Sequence, residues 1–115
     1  MHELGIVIDI VKQVEEFSLE QKIDEIERLV IQIGELSGVV PHYIEDVYPI
    51  AVEKSTLKNT KLEIEMLPGI GSCKSCGFTY NLFQNNNICP LCDSKEYEVI
   101  SGTEFNIKEI HVKED

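Results

Sequence analysis

The chain has 115 residues, 43% of them hydrophobic, which suffices for one small domain or one such domain carrying a smaller one. Ten Lys and Arg stand against 21 Asp and Glu, a formal charge of −11, and such a surface repels phosphate backbones, so no nucleic-acid partner is expected. No apolar run reaches the ~20 residues that span a bilayer. His2 and Glu3 sit where a signal peptide would carry positive charge, so a cytoplasmic protein is expected.

Leu4, Val7, Val11, Val14 and Phe17 recur at helical spacing, widened by Ile8 and Ile10, with Lys12, Gln13, Glu15 and Glu16 opposite. This predicts an amphipathic first helix ending near Ser18. From Glu25 the period becomes two. Glu27, Leu29, Ile31 and Ile33 fall on one face of a strand that Gly34 and Ser37-Gly38 close. Pro41 suits the start of a second helix carrying Tyr43, Ile44, Val47, Tyr48 and Ala51. Pro49 removes a hydrogen bond there and is expected to kink or shorten it. Leu62, Ile64 and Met66 alternate with charged residues as a second strand, stopped by Pro68-Gly69 and Gly71. After Gly102, Phe105 to Val112 is extended again, with a change of apolar face that predicts a bulge or an edge strand. The simplest arrangement returns this segment to the first sheet. Residues 1–67 and 103–115 then form one α+β domain, and residues 68–102 an inserted subdomain.

That insertion is too small to be held by an apolar core alone. It contains Cys73-Lys-Ser-Cys76 and, twelve residues on, Cys89-Pro-Leu-Cys92. Two residues between cysteines let both sulfurs of a tight turn point to one centre, and two such turns make a closed tetrahedral site for Zn(II). Gly77, and Asp93 in the matching place, suit a turn with positive φ. A doubled motif in a reducing compartment favours a metal over a pair of disulfides or a redox pair. Phe78, Tyr80 and Leu82 predict a strand between the knuckles, and Gln84 to Asn87 a polar turn. This signal is strong for metal and weak for function, since such ribbons also serve as interaction or nucleic-acid-binding modules. Here Lys74 and Lys95 are the ribbon's only bases, against Asp93, Glu96 and Glu98.

A different donor set opens the chain. The Met1 amine, the His2 amide and imidazole, and the Glu3 amide can close adjacent chelate rings around one metal. Four nitrogens in a plane suit Ni(II) or Cu(II). The amine must first lose a proton, at a reference pKa of about 7.7–8, so binding should weaken below neutrality. His42 and His111 are expected to be solvated, and Glu35 to be a loop carboxylate. Four thiolates leave no open position for a substrate, and no His-Glu-x-x-His motif or nucleophile–base pairing is visible, so no enzyme is expected.

Met1-His2-Glu3-Leu4, "IQIGELSGV" at Ile31–Val39, "LEIEMLPG" at Leu62–Gly69, the paired CxxC motifs and "ISGTEFNIKEIHV" at Ile100–Val112 follow one another in an order that resembles the HypA/HybF family of hydrogenase nickel metallochaperones. The resemblance covers nearly the whole chain. It implies a small mixed α/β nickel-binding domain with an inserted four-cysteine zinc ribbon, structural Zn(II), and Ni(II) as transient cargo. It implies delivery to the precursor of the [NiFe]-hydrogenase large subunit with a nickel-incorporation GTPase as partner; some members also serve urease. Carried over, His2 is a nickel ligand assisted by the Met1 amine and the backbone at Glu3, and Cys73, Cys76, Cys89 and Cys92 are the zinc ligands. Two features depart from the family pattern. No histidine flanks the CxxC pairs, so an acid-sensing zinc site is not expected, and Pro49 interrupts a helix.

Overall fold

The computed structural model describes residues 2–113, and for His2 the backbone alone. Its elements are α1 (His2–Gln21), β1 (Ile26–Gly34), α2 (Pro41–Val52), β2 (Lys61–Leu67), β3 (Ile70–Cys73), β4 (Thr79–Asn81), β5 (Tyr97–Ser101) and β6 (Phe105–Val112). They form two three-stranded sheets, ordered β2-β1-β6 and β4-β3-β5. The last strand therefore returns beside the first, as an edge strand. The fold is α+β, with the cysteine segment inserted ahead of β6.

The chain divides into two compact units, one of Met1–Ile31, Val40–Glu65 and Asn106–Asp115, the other of Gln32–Val39 and Met66–Phe105. In the first unit, α1 packs on α2. Val7, Ile10, Val11 and Val14 of α1 are buried with Ile44, Val47, Tyr48 and Val52 of α2, Leu29 and Ile31 of β1, and Leu57. Two expected core positions are not so placed, since Ile8 and Phe17 stay partly exposed. Val30, on the opposite face of β1 from Leu29 and Ile31, is buried as well.

α1 runs three residues past Ser18, and the cause is its cap. Lys22 adopts φ 56°, the Ile23 N–H donates to the Ser18 carbonyl at 2.9 Å, and the Lys22 N–H donates to Leu19 at 3.3 Å. These two bonds are a Schellman cap, built here on lysine where glycine is usual. Nor does Pro49 shorten α2, which continues to Val52. Pro49 and Glu45, whose carbonyl loses its partner, are both exposed, so water can satisfy that oxygen.

A polar link closes the far end of this core. The Tyr48 hydroxyl donates to the Thr60 carbonyl at 2.9 Å, and the Thr60 hydroxyl donates to the Ile26 carbonyl at 2.7 Å. Burial pushes the Tyr48 phenol up to about 12. An acid with a raised folded pKa contributes stability that is complete below its unfolded value, about 10, and fades as pH climbs through 12. Tyr48→Phe is expected to cost about 1 kcal/mol at neutral pH and to remove this alkaline decline. Urea unfolding of both proteins at pH 8 and pH 11 checks it; an unchanged difference between the two pH values would contradict it.

In the second unit, the β1 end meets both chain connections. The Gly34 N–H donates to the Glu104 carbonyl at 2.7 Å, the Leu36 N–H to Gly102 at 2.7 Å, and the Glu35 N–H to Leu67 at 2.9 Å. The Glu35 carboxylate accepts from the Gly69 N–H at 2.8 Å and from the Asn81 amide at 3.5 Å. Backbone N–H groups of Glu104 and Gly102 hold the Glu104 carboxyl below its ordinary pKa. Glu35, expected as a free loop carboxylate, is thus a structural clasp within the unit.

Candidate metal centre

The two cysteine turns are near copies. Around the first, the Gly77 N–H donates to the Cys73 carbonyl at 2.9 Å and the Cys73 N–H to Phe78 at 2.8 Å; around the second, the Asp93 N–H donates to Cys89 at 2.9 Å and the Cys89 N–H to Ser94 at 2.9 Å. Gly77 has φ 79° and Asp93 φ 64°, the positive values expected of those two positions. A bond of 3.0 Å from the Ser75 hydroxyl to that of Ser94 joins the turns.

This pairing brings the sulfurs of Cys73, Cys76, Cys89 and Cys92 within 4.8 Å of one another. Cys73 and Cys92 are 3.5 Å apart, Cys76 and Cys89 3.6 Å. Both separations are too long for a disulfide. They lie near the edge of about 3.8 Å that a tetrahedron with Zn–S of about 2.3 Å requires. The donor set therefore fits a tetrahedral ion such as zinc, with no face left open.

The electrostatics agree. The Cys76 N–H, then that of Ser75 and the neighbouring sulfurs, favour the Cys73 thiolate and bring its pKa down to about 6 against burial. The Ser94 N–H favours the Cys92 thiolate, yet the adjacent sulfurs and burial together push it up to about 12. Cys76 is raised too: the Phe78 N–H favours its thiolate, but burial and the Cys89 and Cys73 sulfurs outweigh it. The Cys73 thiolate forms readily while Cys76 and Cys92 resist crowding beside it, which is the frustration a dication resolves. The surrounding core is only Cys73, Tyr80, Leu82 and Cys89, with Leu36 and Tyr97 against it. Burial, then the Cys89 and Cys73 sulfurs, raises the Tyr80 phenol, whose oxygen is buried without a partner.

Of the amino-terminal donors, Met1 and the His2 imidazole lie outside the described residues. Glu3 is half-buried in the first turn of α1. Because α1 begins at His2, the His2 and Glu3 amides are among the first four N–H groups, which have no intrahelical acceptor. His42 is exposed beside Asp46 at 3.4 Å. His111 is not simply solvated, since Arg28 lies against both ring nitrogens, Nε2 at 3.2 Å and Nδ1 at 3.3 Å, and Glu109 meets Nε2 at 2.8 Å. Among the described residues the four cysteines alone gather as a metal-binding group.

Residues 1–112 match the family described as hydrogenase/urease nickel incorporation, metallochaperone, hypA. The chain belongs to the HypA family. It is 39% identical to the hydrogenase maturation factor HypA of Trichodesmium erythraeum, over 99% of this chain and 97% of that one. To the Dehalococcoides mccartyi HypA it is 33% identical, over 100% and 97%. Its fold is similar to the solution structure of the nickel metallochaperone HypA from Helicobacter pylori, with a TM-score of 0.66 and 23% identity over 96% of each chain. A second HypA solution structure gives a TM-score of 0.71 and 24% identity over 98% and 97%. As a HypA-family member the chain is a nickel metallochaperone of hydrogenase maturation and not an enzyme. No helix among the described residues is long and apolar enough to cross a membrane.

Proposed function

We propose that this chain carries Ni(II) on the Met1 amine, His2 and the backbone at Glu3, and keeps Zn(II) on Cys73, Cys76, Cys89 and Cys92 as a structural ion. Ni(II) is cargo, handed in the cytoplasm to the [NiFe]-hydrogenase large-subunit precursor with a nickel-incorporation GTPase. Residues 68–102 serve as the zinc ribbon; residues 1–67 with 103–115 serve as the nickel domain. The observation that carries the reading is the start of α1 at His2. Amides at that position deprotonate and ligate without breaking a helical hydrogen bond. Two deprotonated amides also offset the charge of the dication next to the positive end of the helix dipole. The cysteine cage has no open position, whereas a chain end opens at little cost, so exchange belongs to the nitrogen site.

The test uses untagged protein opening at Met1. One residue added ahead of Met1, or His2→Ala, should weaken Ni(II) binding in calorimetry about 100-fold, with zinc content unchanged. Unaltered nickel affinity in both variants would overturn the assignment. Acidification from pH 8 to 6.5 should weaken the parent protein as the amine takes up its proton.

A further inference from the structure

The carboxyl end of α1 borders a cavity of about 110 Å³. Its polar wall is Glu15, Ser18, Asp24 and Thr56; its apolar wall is Leu19, Ile23 and Ile26. The Glu15 Oε2 accepts from the Thr56 N–H and hydroxyl, both at 3.2 Å. Asp24 has no hydrogen-bond or ion-pair partner among the described residues. Ser18 is only 8% exposed, and its Oγ is buried with no hydrogen-bond partner. An orphaned buried hydroxyl is uncommon in a folded protein and calls for an explanation. Leu19, by contrast, is 80% exposed at the rim.

We infer that this cavity receives the side chain of a lysine presented by a partner protein. Two acidic residues, Glu15 and Asp24, line it beside the negative end of the α1 dipole, so it selects a cation. Which cation is decided by the apolar wall. A hydrated dication needs oxygen on every side and would set part of its water shell against Leu19, Ile23 and Ile26. A lysine lays its four-carbon stem on such a wall and brings three N–H donors to the oxygens of Glu15, Asp24 and Ser18. The net charge of −11 favours the approach of a basic surface over an acidic one. None of this depends on where nickel is held.

The test is an amide NMR titration of the full, zinc-loaded chain with acetyl-Gly-Lys-Gly-amide. Saturable shifts are expected at Ser18, Leu19, Ile23, Asp24 and Thr56, and none when the lysine carries an Nε-acetyl group. Asp24→Asn, at an exposed position that should not disturb folding, should weaken binding about fivefold. Ser18→Ala removes the orphaned hydroxyl and should weaken it too, with the rest of the spectrum unmoved. The inference is overturned by shifts no larger than sodium chloride produces at equal ionic strength, by saturation with magnesium chloride where the lysine peptide has no effect, or by Asp24→Asn and Ser18→Ala variants that both bind like the parent.

Discussion

Chelating the metal from zinc-loaded protein is expected to unfold the ribbon unit while α1 and α2 stay folded. In the amide NMR spectrum, Ile70–Cys73, Thr79–Asn81 and Tyr97–Ser101 should collapse to random-coil positions, and Gln32–Val39, in the same unit, should lose order with them. The reason is the size of the two contributions. Around the sulfurs, the buried cluster adds only Tyr80 and Leu82, each contributing about 1.5–3 kcal/mol. A structural zinc contributes on the order of 10–16 kcal/mol. The first unit has its own core from two helices and β1, so it survives. It is weakened all the same, because β1 and β6 must then pair across a flexible loop, at a cost on the order of 3 kcal/mol. Cys89→Ser, at a fully buried position, should reproduce the apo spectrum; Cys92→Ser, at an exposed one, should fold when zinc is in excess. Retention of β3–β4 and β3–β5 pairing in metal-free protein would show that the small core suffices after all.

What was legible in the sequence was what is local. The cysteine spacing, with Gly77 and Asp93 after each pair, specifies both knuckles, because a turn is closed by neighbours in the chain. Strand alternation at Leu62–Met66 was equally clear. The end of α1 was not, since Lys22 takes a conformation that usually announces itself through glycine. That Pro49 does not end α2 was not legible either, because its cost depends on whether the freed carbonyl meets water, a question of exposure that periodicity does not answer. The Glu35 clasp and the Arg28–His111–Glu109 chain were invisible for another reason. Glu35 and Gly69 are 34 positions apart, Arg28 and His111 83. Their partners are set by topology.

Gly34→Ala is expected to be among the most damaging small substitutions in the chain. Gly34 reads in sequence as a residue that ends a strand; in the fold it is a crossing point. A Cβ there would overlap the Gly102 carbonyl oxygen and carbon and sit 2.9 Å from the Glu104 nitrogen. All three are backbone atoms, so no side chain can swing aside. Relief requires moving a segment held by Gly34 N–H to Glu104 and by Leu36 N–H to Gly102. Gly102 has little room to yield, since it has φ 106° and a Cβ built on it would lie 2.5 Å from the Gly69 Cα. Two lost hydrogen bonds at about 1 kcal/mol each, plus residual strain, give a cost of about 3 kcal/mol. The entropy that alanine removes from the unfolded chain returns less than about 1 kcal/mol. Gly5, exposed in α1 with nothing within 4 Å of a Cβ built on it, is the control: Gly5→Ala should stabilise by about 0.5–1 kcal/mol. Calorimetry of zinc-loaded protein should place the Gly34→Ala transition at least about 10 °C below the parent and Gly5→Ala slightly above it. A Gly34→Ala protein that melts with the parent and releases zinc to a chelator no faster would mean that the crossing is looser than these close approaches require.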